Sequence, residues 1–263
     1  MKIATYNVNS VNARLPNILK WLEKQKPDVV LLQEIKCEFN DFPFLEIQSL
    51  GYNIKVLGQK SYNGVAVLSR YKLKLIAENL PDFPDEQARY LEVEVSAEGE
   101  NYRVASVYLP NGNPPYNNPD DDSRYKYKLN WMAALYKRAE YLLTLHNPVI
   151  LGGDFNVILE SDDVYNPEEY RNNALFRPEV RKRLWALQHI GYYDAFRVLH
   201  NSKIGYKFWD YAGGALHNDL GMRIDYLFLS AKAADKLISC EVDKLPRQSD
   251  KPSDHTALIA ELR

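Results

Sequence analysis

In the segment Val149–Asn156, an apolar run of Val-Ile-Leu is followed by two glycines and then by an acidic and an amide side chain, Asp154 and Asn156. In an extended backbone alternate residues share a face, so we expect Asp154 and Asn156 to point the same way. Glycines at a strand end allow a ligand or another backbone to approach closely. The same octet also fits an ordinary strand that runs into a turn, so it does not identify a site alone.

The pattern recurs, because five further apolar segments carry polar side chains of the same kinds, four of them at an end and one, with Asp225, within the run. These are Asn7 and Asn9, Glu34, Tyr108 and Asn111, Asp225, and the pair Asp254 and His255. One such residue usually caps or turns the chain, but six segments together favour a common site. Oxygen ligands with one imidazole suit a hard cation such as Mg²⁺ or Mn²⁺ better than zinc.

The elements that position these residues form a mixed α/β pattern. Apolar runs and alternation predict strands at Ile3–Val8, Asp28–Glu34, Ser61–Leu68, Tyr90–Val95, Tyr102–Leu109, around Val149, around Asp225 and at Thr256–Glu261. Helical spacing predicts helices at Arg14–Lys26, Tyr125–His146 and Pro178–His189. The polar stretches Pro110–Asp122 and Ser161–Arg177 are predicted as long loops. Without a repeat or a linker-like segment, we expect one domain over residues 1–263.

Composition limits the classes of function. A net charge of −2 argues against a protein that coats nucleic acid, but it is compatible with a metal-dependent nuclease. No apolar run approaches the roughly 18 residues of a membrane span and no signal-like region opens the chain, so we expect a cytoplasmic protein without membrane contact. Cys37 and Cys240 lack paired spacing, which makes a zinc site or a structural disulfide unexpected.

Several motifs resemble, in order and approximate spacing, the exonuclease III class of the endonuclease/exonuclease/phosphatase superfamily. They are Thr5 to Asn9, Leu32-Gln33-Glu34, Val107 to Gly112, Gly152 to Asn156, Arg223 to Tyr226 and Ser253-Asp254-His255, with Phe208 to Tyr211 typical of the DNA-repair branch. The resemblance implies a four-layered α/β sandwich, in which two mixed sheets face each other with helices outside. It also implies a monomeric, Mg²⁺-dependent or Mn²⁺-dependent phosphodiesterase that cleaves duplex DNA 5′ to abasic sites and acts on 3′ ends.

The resemblance further assigns roles to individual residues. The metal-binding residues it implies are Asn7, Glu34, Asp154, Asn156, Asp254 and His255. The catalytic set is Asp154 and Asn156 for the attacking water, His255 with Asp225 for a phosphate oxygen, and Tyr108. The substrate-binding set is Asn9, Asn111, Asn173, Phe208, Met222 and Ile224, of which the last three wall a pocket for a base-less sugar.

Other interpretations of these residues remain open. Phe208, Met222 and Ile224 are also typical core residues, Asn173 could cap a turn, and Arg124, Lys126 and Lys128 could follow a DNA backbone or be solvated charges. The same fold and metal could serve a phosphorylated small molecule or a lipid instead of DNA. A catalytically silent DNA-binding module is a third hypothesis, against which the intact acidic residues and His255 argue.

Overall fold

The computed structural model describes residues 1–263 and contains twelve β-strands and seven α-helices. In chain order the strands are β1 (Lys2–Asn7), β2 (Val29–Gln33), β3 (Asn53–Leu57), β4 (Val65–Ser69), β5 (Lys72–Glu78), β6 (Tyr90–Ala97), β7 (Glu100–Tyr108), β8 (Val149–Asp154), β9 (Tyr192–Asp194), β10 (Asp225–Ser230), β11 (Leu237–Asp243) and β12 (Ala257–Leu262). The helices are α1 (Leu15–Gln25), α2 (Phe44–Gln48), α3 (Ser123–Leu143), α4 (Pro167–Tyr170), α5 (Pro178–His189), α6 (Ala195–Leu199) and α7 (Ala231–Ala234). None of the helices has both the length and the apolar character needed to span a membrane.

The strands form two mixed sheets of six strands each. The first has the order β11-β12-β1-β2-β4-β3 and the second the order β5-β6-β7-β8-β10-β9. In each sheet one central pair is parallel, β1 with β2 and β7 with β8, and the other neighbours are antiparallel. Parallel neighbours need a crossover connection, and α1 and α3 lie in the two segments that provide it.

Three apolar layers hold the sheets and helices together. The layer between the sheets joins side chains of both, for example Leu31 of β2 and Leu227 of β10. A second layer packs α1 against the outer face of the first sheet through residues such as Leu22. A third packs α3 and α5 against the second sheet, with Leu135 and Leu184 among its members. The predicted four-layered α/β sandwich is therefore confirmed.

This topology brings the polar strand ends to one edge of the sandwich. Asn7, Tyr108 and Asp154 are the last residues of the parallel strands β1, β7 and β8, and Glu34 directly follows β2. Asp225 opens β10 and is paired in register with Asp154, because β10 runs antiparallel to β8. The carboxyl ends of the parallel strands and the amino ends of their antiparallel neighbours thus meet at the same edge.

Several predicted element boundaries were wrong. The second polar stretch, Ser161–Arg177, is not a plain loop, since it contains a 3₁₀ turn at Ser161–Asp163 and helix α4. The strand predicted from Ser61 begins only at Val65, after Ser61 and Asn63 with positive φ. Asp225 begins its strand rather than interrupting it. Strands β3, β5, β9 and β11 were not predicted at all.

Candidate active site

Two carboxylates, Glu34 and Asp154, lie at the shared edge and are joined by one amide. The side-chain nitrogen of Asn7 donates to Glu34 Oε1 at 2.8 Å and to Asp154 Oδ2 at 2.9 Å. The side-chain oxygen of Asn7 accepts instead from the backbone N–H of Asn9 at 3.1 Å. Asn7 thus presents a donor to both carboxylates at once.

Glu34 has a positively charged partner of its own. Its backbone lies in the left-handed region with φ 51°, and its Oε2 is 2.9 Å from Lys36 Nζ. Lys36 also donates to Asn9 Oδ1 at 2.6 Å. Burial alone raises a carboxyl pKa, but Lys36 and the amide of Asn7 outweigh it and hold the pKa of Glu34 below its ordinary value. Glu34 is therefore ionised at neutral pH.

Asp154 is buried and lacks such a close cation. Burial is the main reason why the pKa of Asp154 rises to about 7, and the negative charges of Asp225 and Glu34 add to it, while His255 opposes the rise. The approach of β7 leaves no room for a side chain at Gly153, whose Cβ would overlap the carbonyl of Val107. The glycine before Asp154 thus serves close packing of two strands.

The alternation argument does not apply to Asn156, because the strand ends before this residue. The extended backbone ends at Asp154, and Asn156 has φ 47°. Its backbone N–H donates to Asp154 Oδ1 at 2.9 Å, whereas its side-chain amide donates to Leu109 O at 2.9 Å. Asn111 donates to its side-chain oxygen at 3.3 Å. Asn156 therefore contacts Asp154 through its main chain and fixes the turn with its side chain.

His255 and Asp225 meet although they are thirty residues apart in the chain. His255 Nδ1 lies 2.9 Å from Asp225 Oδ2, and His255 Nε2 lies 3.7 Å from Asp154 Oδ2. Burial alone would lower the pKa of His255, but Asp225 and then Asp154 raise it to about 10. The imidazole is therefore a charged ring held in one orientation, with Nε2–H directed at the carboxylate cluster.

The cluster fits a divalent cation through its carboxylates. Ligand atoms of Glu34, Asp154 and His255 lie within 4.8 Å of one another. Two carboxylate oxygens are the donors that Mg²⁺ prefers. With its pKa raised to about 10, the imidazole of His255 is protonated and offers a donor at Nε2 beside the two carboxylates. Asp254 does not join this group, and its Oδ1 accepts from Asn9 Nδ2 at 3.0 Å.

Tyr108 borders the cluster at the end of β7. Burial, with the charges of Glu34 and Asp154, raises the pKa of its hydroxyl well above the ordinary value, so the group stays protonated. The guanidinium of Arg89 lies 4.7 Å above the Tyr108 ring. A cavity of about 610 Å³ opens beside it, lined among others by Arg89, Asn111 and Arg124. Tyr108 is thus a hydrogen-bond donor beside the carboxylates, and two cations line the adjacent cavity.

Only one of the three predicted pocket residues reaches the site surface. Phe208 is half-buried and its ring centroid lies 5.0 Å from that of His255. Met222 and Ile224 are 5% and 3% exposed and belong to an apolar cluster with Val164 and Phe176. For these two residues the structure supports the core interpretation that the sequence left open.

Asn9 and Asn173 make different contacts. Asn9 Nδ2 donates to Asp254 and to Tyr211 Oη at 3.2 Å, which keeps Asn9 at the edge of the cluster. Asn173 Oδ1 accepts from the backbone N–H of Leu175 at 3.0 Å, so it shapes a turn.

Three lysines with structural consequences for the site were missed or misjudged. Lys36 pairs with Glu34, and Lys207 lies buried 3.7 Å from Asp225 Oδ1. Lys128 is fully buried and donates to the carbonyls of Asn111 at 2.9 Å, Asn156 at 2.6 Å and Ala174 at 3.1 Å, so it cannot follow a DNA backbone. Its spacing to Trp131 and Leu135 on the apolar face of α3 was the available signal.

A sandwich of two facing mixed sheets, with paired carboxylates and an imidazolium at one edge, defines a class of phosphate-ester hydrolases. Comparison with known proteins gives the family: the Endonuclease/Exonuclease/phosphatase family matches residues 4–255, and the chain belongs to it. Divalent-metal dependence is general in this family.

Relatives with known names or structures cover the whole chain. It is similar to exodeoxyribonuclease III of Haemophilus influenzae, with 30% identity over 273 residues and 100% of both chains covered. Among solved structures it resembles an AP endonuclease from Archaeoglobus fulgidus, with a TM-score of 0.92, 31% identity and 100% and 99% coverage. It also resembles a 3′ phosphatase from Neisseria bound to a product DNA hairpin, with a TM-score of 0.90, 34% identity and 100% and 99% coverage.

Proposed function

We propose that the protein is a Mg²⁺-dependent DNA-repair phosphodiesterase, which cleaves duplex DNA 5′ to abasic sites and removes nucleotides or blocking groups from 3′ ends. The observation that carries the proposal is the meeting of Glu34, Asp154 and His255 within 4.8 Å. This set joins carboxylate oxygens, which suit a hard cation, to a charged donor, which suits a phosphate. The names of the relatives support DNA as the substrate.

Glu34 and Asp154 are the residues that would hold Mg²⁺ or Mn²⁺. A bound divalent ion neutralises negative charge on the phosphate and lowers the pKa of an adjacent water. Asn7 donates to both carboxylates, and the backbone of Asn156 donates to Asp154, so these two residues keep the carboxylates in place. Asp254 lies outside this pair of carboxylates and contacts Asn9 through a hydrogen bond.

The protein's own groups supply the proton chemistry. Asp154 orients the attacking water and accepts its proton. The charged ring of His255 donates its Nε2 proton in a hydrogen bond to a non-bridging phosphate oxygen, while Asp225 holds the ring in position. The hydroxyl of Tyr108 is a second hydrogen-bond donor, and unlike His255 it is neutral. Water then attacks phosphorus in line with the 3′ oxygen of the preceding nucleotide, which leaves.

Substrate binding uses the surroundings of the cluster. The half-buried ring of Phe208 packs against a base-less sugar, with Met222 and Ile224 beneath it as support. Arg89 and Arg124 beside the 610 Å³ cavity attract the phosphates of a duplex despite the net charge of −2. Asn9 and Asn111 bind the strand near the scissile phosphate, and Asn173 shapes the turn beside it. In this proposal residues 1–263 act as one domain and as a cytoplasmic monomer.

One experiment tests the substrate class directly. The protein is incubated with Mg²⁺ and a labelled duplex that carries a single abasic analogue, beside an intact duplex, a duplex with a 3′-phosphate and a small phosphomonoester. We expect a cut on the 5′ side of the analogue and release of the 3′-phosphate, with Asp154→Asn as the folded but inactive control. Hydrolysis of the phosphomonoester with all duplexes left intact would instead support the small-molecule alternative.

A further inference from the structure

A buried ammonium group lies behind the Asp225–His255 pair. Lys207 is 0% exposed, and its Nζ has no hydrogen-bond partner. The nearest acidic atom is Asp225 Oδ1 at 3.7 Å, and this oxygen also has no hydrogen-bond partner. Burial of a charge without hydrogen bonds is unfavourable unless an opposite charge compensates for it. Asp225 is that charge, and it is the only carboxylate that forms an ion pair with Lys207.

The backbone fixes Lys207 on both sides. Its N–H donates to Met222 O at 3.0 Å, and its carbonyl accepts from the N–H of Thr256 at 2.8 Å. The next residue, Phe208, is bridged to Met222 and to His255. The position of the ammonium relative to Asp225 and His255 is therefore determined by short main-chain contacts, not by a mobile loop.

We propose that Lys207 is a positioning residue of the active site, whose charge holds Oδ1 of Asp225 and thereby directs Oδ2 towards Nδ1 of His255. The two oxygens of Asp225 then have separate tasks, with a cation on each side of one carboxylate. Without the charge at Oδ1, the carboxylate can rotate about its terminal bond and exchange the two oxygens. Only the expected effect of Lys207 on the reaction rate rests on the proposed nuclease function.

The electrostatics agree with this assignment. Burial alone would raise the pKa of Asp225, but His255 and then Lys207 lower it below the ordinary value. Asp225 is therefore an anion, and its charge opposes the effect of burial, which lowers the pKa of Lys207. A purely structural lysine would affect folding alone and would leave the bond between Asp225 and His255 unchanged.

The test compares Lys207→Met with a matched buried lysine, Lys128→Met. Lys128 donates three hydrogen bonds to carbonyls and Lys207 compensates the buried charge of Asp225, so both variants should melt at a lower temperature than the wild type. The first readout is the low-field NMR signal of the His255 Nδ1 proton without metal or DNA, assigned by its loss in Asp225→Asn. We expect Lys207→Met to shift or broaden this signal, and Lys128→Met to leave it in place.

The second readout is the single-turnover rate on the abasic duplex with Mg²⁺. We expect Lys207→Met to lower the rate at least tenfold while the dissociation constant for DNA stays within twofold of the wild type. An unchanged proton signal together with a rate within twofold of the wild type would overturn the proposal. So would failure of both Lys207→Met and Lys207→Gln to fold, because the residue would then be structural. If the wild type cuts no DNA, the proposed function fails, but the NMR comparison still decides the role of Lys207.

Discussion

Replacement of Asp225 by asparagine should change the charge state of His255 while keeping the shape of the site. The pKa of His255 is raised from 6.5 to about 10, which corresponds to about 5 kcal/mol in favour of the charged ring. Among the groups that raise it, Asp225 comes first, at 2.9 Å from Nδ1. The loss of an opposite charge at this distance lowers a pKa by roughly 1 to 3, or about 1.4 to 4 kcal/mol.

NMR titration of the histidine ring signals measures this change, and the assignment is simple because the chain has 5 histidines. In the metal-free wild type the His255 signals should titrate near pH 10, and in Asp225→Asn they should titrate nearer to neutrality. The stabilisation of the fold by His255 is fully present below pH 6.5 and is lost as the pH rises towards 10. The difference in unfolding free energy between wild type and variant should therefore be largest at pH 6. Identical titration of His255 in both proteins would refute the pairing.

The same pair should act as one unit in the reaction. His255 and Asp225 supply one oriented, charged donor, so Asp225→Asn and His255→Ala should each remove much the same contribution to the rate. Their effects should then be strongly sub-additive in the double variant. Single-turnover rates of the three proteins decide this, and a double variant as slow as the product of the two single effects contradicts the idea of one unit.

The remaining predictions concern the carboxylates. Activity should disappear in EDTA and return with Mg²⁺ or Mn²⁺, because no side chain replaces a divalent ion at Glu34 and Asp154; undiminished cleavage in EDTA would remove the metal from the mechanism. Glu34→Gln should raise the Mg²⁺ concentration needed for half-maximal rate, and an unchanged metal titration would make Glu34 structural. Asp154→Asn should abolish most turnover at an equal or higher melting temperature, because the buried charge is lost; unfolding would instead identify the Gly-Gly-Asp segment as a structural turn. The rate should fall as the pH drops below about 7, where Asp154 takes up a proton, and this limb should move to lower pH as Mg²⁺ increases, since the ion and the proton compete for one carboxylate.

The strands that the sequence failed to predict are the four sheet edges. Strands β11 and β3 close the first sheet, and β5 and β9 close the second. Interior strands such as β2 are buried on both faces and appear as continuous apolar runs. Edge strands are half exposed and mix charged with apolar residues, as β5 does in Lys-Leu-Lys-Leu. Local pattern therefore identifies the centre of each sheet and misses its border.

For the site, the sequence predicts which residues meet but not how each one is used. Asn7, Asp154 and Asp225 stand at ends of buried strands, and the topology of those strands suffices to bring them together. Their hydrogen-bond roles depend on neighbours that come from other segments. The side-chain amide of Asn156 donates to the carbonyl of Leu109, and the backbone of Asn156 has a positive φ. The alternation of side chains in a strand does not predict this conformation. Lys207 was missed for the same reason, since only the tertiary fold brings it to Asp225.

The two carboxylates on either side of Asp154 each have a positively charged partner. Glu34 is faced by Lys36 at 2.9 Å, and Asp225 is faced by His255 at 2.9 Å and by Lys207 at 3.7 Å. Asp154 has only His255 Nε2 at 3.7 Å, which does not outweigh the burial and the charges of Asp225 and Glu34 that raise its pKa. A divalent cation that reaches Glu34 must compete with Lys36 and at the same time supplies the charge that Asp154 lacks. Asp154 is therefore the residue at which cation binding and proton binding are coupled, and the one whose state should respond most to either.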